Sequence, residues 1–201
     1  MSKGTPGVRY AEIYRETSET RITVVLDLDG GTRRDILTGI GFFDHMLEQL
    51  AFHGQMDLGI QTEGDLHIDD HHTVEDVGIV LGQALRQALE LPGGIVRYGT
   101  VHSPMDEALV LVVLDVSGRG GAFFEVDFHR EKVGDLSVEC VKEFFRALAH
   151  HSGINFHIRK IAGENDHHVI EAIFKGLGRA LHEATRRTER RGATSTKGSI
   201  D

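Results

Sequence analysis

Cysteine is nearly missing from this chain. Cys140 stands alone among 201 residues, so no internal disulfide can form and a disulfide-stapled secreted scaffold is excluded. Cations are in deficit too, with 22 Lys plus Arg against 31 Asp plus Glu and a formal net charge of −9. That balance disfavours non-specific nucleic-acid binding, which needs a positive surface to meet phosphates. No hydrophobic run approaches the length of a membrane span, and the opening Met1-Ser2-Lys3-Gly4-Thr5-Pro6 has no apolar signal region. These absences lead to the expectation of a soluble, cytoplasmic protein without membrane or nucleic-acid partners. With 40% hydrophobic and 26% charged residues the composition is globular, and the length suits one domain or two small ones. What the chain has in quantity is histidine, 13 in all, and their placement is uneven.

Residues 70–85 read DHHTVEDVGIVLGQAL, and residues 166–181, 96 positions on, read DHHVIEAIFKGLGRAL. Eight of these sixteen positions are identical, and Val74/Ile170 and Val77/Ile173 are similar. Upstream, Val24-Val25-Leu26-Asp27 recurs as Val112-Val113-Leu114-Asp115, and the stretch Phe43 to His53 aligns with Val141 to His151. The chain therefore reads as a tandem duplication. Arg21 to Leu28, Ala108 to Val116, Ala122 to Phe128 and Ile154 to Ile161 have strand composition or alternation. Asp29-Gly30-Gly31 and Ser117-Gly118-Arg119-Gly120-Gly121 read as hairpin turns. Val77, Leu81, Ala84/Leu85 and Ala88 recur at helical spacing, as do Ile170, Phe174, Leu177 and Leu181. The expected fold class is α+β, each half a β-sheet with helices, and the helices packed together between two mainly antiparallel sheets. Residues 1–92 form the first repeat half and 93–186 the second, with Pro92-Gly93-Gly94 as the seam. Residues 187–201 form a polar C-terminal tail on what is one compact domain overall.

On a helix, residues three and four apart share a face. His71 and His72 thus converge with Glu75, and His167 and His168 with Glu171, near the starts of their helices. Adjacent histidines point about 100° apart, so one helix can address two metals or two walls of one pocket. Imidazole plus carboxylate suits a divalent transition metal such as Mn, Fe or Zn. Asp70 and Asp166 are expected as helix N-caps and as acceptors for the second N–H of an imidazole. One His-His-x-x-Glu reads equally well as a polar helix start with no ligand. Core packing, however, gives no reason for both copies to keep Asp-His-His and Glu, so the duplication points to metal binding. Neither H-E-x-x-H nor H-x-x-E-H occurs, which excludes the zincin and inverzincin patterns. His45 and Glu143 align in the upstream echo, and both side chains can bind metal. His53 and His151 also align, but near helix ends, where solvated surface is the expectation. His67, His102, His129, His150, His157 and His182 belong to no repeat-related set, and Cys140 reads as a buried small hydrophobe.

Gly41-Phe42-Phe43-Asp44-His45-Met46-Leu47 and the run from Gly64 to Asp76 resemble the imidazoleglycerol-phosphate dehydratase family. So do Arg97-Tyr98-Gly99, Pro104-Met105-Asp106-Glu107-Ala108, the second His-His-x-x-Glu and Ser195-Thr196-Lys197-Gly198, in order over nearly the whole chain. The resemblance implies a fold like domain 2 of ribosomal protein S5. It also implies dehydration of imidazole glycerol phosphate to imidazole acetol phosphate in histidine biosynthesis, two Mn²⁺ ions per subunit, and a homo-oligomeric shell of twenty-four subunits. By motif it makes His45, His71, His72, Glu75, Glu143, His167, His168 and Glu171 the metal ligands, with Glu143 a departure from relatives that carry His there. Glu19 matches the family's active-site glutamate and is the acid/base candidate, also in reach of substrate; Glu75 and Glu171 are counted with it as catalytic. Arg97, Arg119, Ser195 and Lys197 match the substrate phosphate contacts, which gives the tail a role in closing over bound substrate. In the implied chemistry, an imidazole with both nitrogens on metals becomes an imidazolate and expels hydroxide. The resulting diazafulvene has a much more acidic neighbouring C–H.

Two other readings fit parts of the pattern. A binuclear metallohydrolase would aim a metal-bound hydroxide at a phosphoryl or acyl group, usually with Asp-rich bridging ligands, whereas this set is dominated by histidine. A metal-binding shell without catalysis accounts for the histidines but not for Arg97, Arg119 and Lys197.

Overall fold

The computed structural model describes residues 9–90 and 94–188. Ser195, Lys197 and the Pro92-Gly93 part of the seam lie outside the described residues. The chain opens with β1 (Tyr10–Glu16), β2 (Thr20–Asp27), β3 (Arg34–Leu37), α1 (Gly41–Gly54), β4 (Asp57–Gly64) and α2 (His71–Leu89). It continues with β5 (Gly94–Ile95), β6 (Tyr98–Met105), β7 (Ala108–Val116), β8 (Gly121–Glu125), β9 (Lys132–Val133) and β10 (Leu136–Ser137). Then come α3 (Val138–Ser152), β11 (Ile154–Ala162), α4 (Asp166–Thr185) and β12 (Arg187–Thr188). The duplication is visible in the topology, since the two four-stranded sheets run β1-β2-β4-β3 and β6-β7-β11-β8. Three strands of each sheet are antiparallel, and the last pairs in parallel, β3 with β4 and β8 with β11.

That last pairing corrects the two expected hairpins. The turns after β2 and β7 lead to strands that skip a place, because β4 lies between β2 and β3, and β11 between β7 and β8. Gly-rich turn chemistry shows that the chain reverses, but not which strand it meets next. Arg187–Thr188, assigned by sequence to the tail, are β12 and pair with β5 through Arg187↔Ile95 and Thr188↔Gly94.

Alternation builds the core. β2 buries Ile22, Val24 and Leu26, and β7 buries Val110, Val112 and Leu114, each row on one sheet face against the helix layer. The helices pack crosswise between repeats, α2 on α3 and α1 on α4. The repeated glycine of L-G-x-A-L makes both crossings possible. A Cβ on Gly178 would sit 2.5 Å from the Leu50 carbonyl oxygen and 2.8 Å from the Gly54 nitrogen. One on Gly82 would sit 2.9 Å from the Leu148 carbonyl oxygen. Between the two pairs, Phe43, Phe144 and Phe174 form an aromatic centre with ring centroids 5.4 to 6.4 Å apart.

The paired helices run in the same direction, since Gly78 meets Phe144 and Gly82 meets His151, while Phe42 meets His167 and Gly54 meets Gly178. Asp135, in the β9–β10 turn, accepts hydrogen bonds from the backbone N–H groups of Gly41 and Phe42 at 3.0 and 3.2 Å. All four helix starts are thereby gathered at one end of the layer. The expected caps are corrected here. Asp70 precedes α2 but makes no side-chain cap; its carboxylate accepts from the N–H and hydroxyl of Ser137. Asn165 caps α4 through the His167 N–H, and Asp166 instead accepts from the backbone N–H groups of His129 and Arg130. Both aspartates tie a neighbouring segment to the helix starts. Among the described residues, no helix is long and apolar enough to cross a membrane.

Candidate active site

The first turn of α2 presents His71, His72 and Glu75. The His71 Nε2 lies 3.6 Å from a Glu75 oxygen, the i, i+4 contact that the spacing implies. His72 Nδ1 donates to Asp65 Oδ2 at 3.0 Å, and its Nε2 lies 3.8 Å from Glu19 Oε1. Glu19 stands in the turn between β1 and β2, which is held in place from below. Thr17 Oγ1 accepts from the Glu19 N–H at 3.1 Å, and the buried Asp76 of α2 takes the Thr20 hydroxyl and the Arg15 guanidinium. The hydrogen bond to Asp65 keeps the His72 imidazole above its ordinary pKa, against the opposing effect of desolvation, and the charge of Glu19 adds to the rise.

α4 repeats this arrangement with changes. His167 Nε2 lies 3.3 Å from Glu171 Oε2. Glu171 is buried, and Lys175 Nζ lies 2.6 Å from its other oxygen. Burial pushes the Glu171 carboxyl up, but Lys175, His45 and His167 more than reverse this, leaving it below its ordinary value. His45, half-buried on α1, is thus brought within electrostatic range of Glu171. His168 Nδ1 donates to Glu107 Oε2 at 2.7 Å, and its Nε2 lies 3.7 Å from Asp106 and 3.5 Å from Asn165 Nδ2. That bond raises the His168 imidazole and, with the Asn165 N–H, holds the Glu107 carboxyl down at about 2. Glu143, on α3, forms an ion pair with Arg146 one turn on.

Asp70 and Asp166 do not orient the imidazoles as expected; Asp65 and Glu107 do. Glu107 left a signal in the sequence: it lies 88 positions after Glu19, the displacement that relates Val24 to Val112. Lys175 left none, because its repeat partner is Ile79. His53 and His151 are half-buried rather than solvated, and burial lowers both imidazoles. Cys140 is buried as expected, and burial pushes its thiol up to about 12.

The arginines stand elsewhere. Arg97 has φ +80, a conformation that non-glycine residues seldom adopt, and its N–H donates to the Ala184 carbonyl at the end of α4 at 2.7 Å. Its guanidinium pairs with Asp115 through Nε at 2.7 Å and Nη2 at 3.2 Å, and stacks over Tyr98. Arg119 lies in the turn between β7 and β8, donating to the Ser117 carbonyl; this turn rests on the end of α3, where a Cβ on Gly120 would meet the Ala149 carbonyl. Arg97 and Arg119 are therefore together at the helix C-terminal end, opposite the histidines. Among the described residues, no group of three or more His, Cys, Asp or Glu side chains is gathered closely enough within one chain to hold a metal ion. The donor chemistry nevertheless fits a divalent ion. Two imidazoles have Nδ1 committed to a carboxylate and Nε2 left as the ligating nitrogen, and two others sit beside a carboxylate.

Two His-His-x-x-Glu helix starts, each with one imidazole held by a carboxylate, give this chain of duplicated α+β fold the acid and base groups of an enzyme site. It matches the imidazoleglycerol-phosphate dehydratase family over residues 38–181, which span His45 through Glu171. The imidazoleglycerol-phosphate dehydratases of Acetivibrio thermocellus and Azoarcus sp. are 53% and 50% identical to it, each over 96% of this chain and 99% and 100% of their own. Among solved structures, the Staphylococcus aureus imidazoleglycerol-phosphate dehydratase superposes with a TM-score of 0.81 at 41% identity, covering 89% of this chain and 99% of that one. The Pyrococcus furiosus enzyme gives the same TM-score and identity over 92% and 99%. The chain belongs to the imidazoleglycerol-phosphate dehydratase family. It is a hydro-lyase of histidine biosynthesis.

Proposed function

We propose that the chain dehydrates D-erythro-imidazole glycerol phosphate to imidazole acetol phosphate in the cytoplasm, with Mn²⁺ and as a homo-oligomer in which each site is shared between copies. The observation that carries this reading is the pair of His-His-x-x-Glu helix starts at one end of the molecule, each short of a closed ligand set among the described residues. His45, His71, His72, Glu75, Glu143, His167, His168 and Glu171 are the residues that would hold two ions per subunit. The ions would supply Lewis acidity that stabilises negative charge on the substrate ring. Glu19 is half-exposed and tethered beside His72, so it can take and return a proton at the carbons next to the ring. The ring proton and the hydroxyl would leave together as water to give a diazafulvene, and the Glu19 carboxylate would then accept the proton of the acidified neighbouring C–H. Glu75 and Glu171 keep their sites negative beside the imidazoles.

Arg97 and Arg119 would bind the substrate phosphate, together with Ser195 and Lys197 of the tail. Because both arginines lie at the helix ends opposite the histidines, the phosphate anchor comes from a second copy. A closed shell, twenty-four subunits by family resemblance, is the assembly that supplies it at every site. The test is to assay purified protein on imidazole glycerol phosphate before and after chelation. Turnover should vanish with the metal and return with Mn²⁺. Full turnover by protein shown metal-free in elemental analysis would overturn the metal reading, and hydrolysis of a generic phosphate ester instead would make the protein a metallohydrolase.

A further inference from the structure

We propose that Asp65 and Glu107 are positioning residues that set the tautomer of His72 and His168, and that this task is what separates Glu107 from its repeat partner Glu19. The inference rests on the metal reading above. A carboxylate only accepts hydrogen bonds, so the imidazole nitrogen facing it carries the hydrogen. Asp65 faces Nδ1 of His72 at 3.0 Å, and Glu107 faces Nδ1 of His168 at 2.7 Å. In both neutral rings the lone pair therefore sits on Nε2, the atom left to ligate.

The two halves reach this result from different places. Glu19 and Glu107 directly precede equivalent strands, β2 and β7, in the turns after β1 and β6. In the second half the turn glutamate takes the imidazole Nδ1–H itself. In the first half residues 65–70 separate β4 from α2, whereas only residues 163–165 separate β11 from α4. The longer connection gives Asp65 a place beside His72. With Nδ1 already occupied, Glu19 is left 3.8 Å from Nε2, on the ligating side of the ring. One half thus keeps its turn glutamate for proton transfer, and the other uses it as a support. Glu107 also accepts the Asn165 N–H at 3.0 Å, which fixes its carboxylate against the start of α4.

The two roles separate in one experiment, Mn²⁺ titration against a competing chelator followed by kinetics at saturating Mn²⁺. Glu107→Ala should weaken Mn²⁺ binding by roughly ten- to a hundredfold, with kcat recovering at saturating metal. Glu107→Gln, whose amide oxygen can still accept the Nδ1–H, should stay within about threefold of wild type. Asp65→Ala should show the same loss at the other half's site, so the outcome does not depend on Glu107→Ala folding well. Glu19→Gln should bind Mn²⁺ normally and lose kcat. The proposal is overturned if Glu107→Ala and Asp65→Ala bind Mn²⁺ within about twofold of wild type, or if Glu107→Gln is as damaging as Glu107→Ala. Wild-type protein that binds no Mn²⁺ would instead sink the metal reading on which the proposal stands.

Discussion

Separation of Arg119 from Glu19 by the length of the helix layer leads to a mixing experiment with a calculable result. The Arg119 turn rests on Ala149 of α3, and that end of α3 packs on α2 at Gly82, ten residues or roughly 15 Å beyond His72. A phosphorylated imidazole with a three-carbon chain is roughly 10 Å long by bond lengths, so it cannot touch both ends of one chain. Arg119→Ala removes the proposed charge-assisted phosphate contact and should lower kcat/KM by roughly ten- to a hundredfold. Glu19→Gln leaves every proposed metal ligand in place and should lower kcat by about 10²–10⁴-fold, the usual loss of a general acid/base. Neither variant by itself keeps more than about a tenth of wild-type kcat/KM. When the two are co-expressed in equal amounts, a site is intact if its Glu19 comes from an Arg119→Ala copy and its Arg119 from a Glu19→Gln copy. Independent draws make about a quarter of sites intact, so the mixture should recover about a quarter of wild-type kcat/KM. The assay is steady-state kinetics on co-purified, differently tagged chains, with the ratio checked by mass spectrometry. A mixture no more active than the average of its two components would show that one chain supplies both groups, and the shared-site reading would fall.

Gly178→Ala places a methyl group against backbone of α1, which has no flexible end to swing away, so the α1–α4 crossing must open. A loss of about 1–3 kcal/mol is expected, read as a lower Tm; an unchanged Tm would mean that the crossing is looser than described. Asp57→Ala removes the acceptor for the backbone N–H groups of Gly31, Thr32 and Arg33, at 2.7 to 2.8 Å. The bonds from Arg33 and Gly31, with that from Thr32, hold the Asp57 carboxyl below its ordinary range against desolvation. A depressed folded-state pKa stabilises above the unfolded value near ~3.9 and is lost as pH falls through the folded one. The stability gap between wild type and variant should therefore be widest at neutral pH and narrow in acid; a gap that is flat from neutral to acid would refute the role given to this carboxylate.

Much of this molecule was legible in one dimension. Repetition of Asp-His-His-x-x-Glu with its helical Leu, Gly and Ala spacing revealed the duplication, because a helix start and its packing face are local and periodic. Alternation in Ile154 to Ile161 already assigned the buried face of β11, whereas β2 and β7 read as strands from their β-branched composition. Tertiary structure alone decided the partners. Local composition cannot say that β3 and β8 pair in parallel one place away, or that α1 packs on α4 and α2 on α3, since those choices depend on shape complementarity between distant segments. The same holds within the site. Asp70 and Asp166 neighbour the histidines in sequence but bind Ser137 and the backbone at 129 and 130, whereas Asp65 and Glu107 reach the imidazoles through a longer loop and a strand turn. Residue chemistry is carried by the sequence. Which carboxylate meets which nitrogen, and that Arg97 and Arg119 stand a helix length from His72 and His168, is fixed only when the chain closes on itself in space.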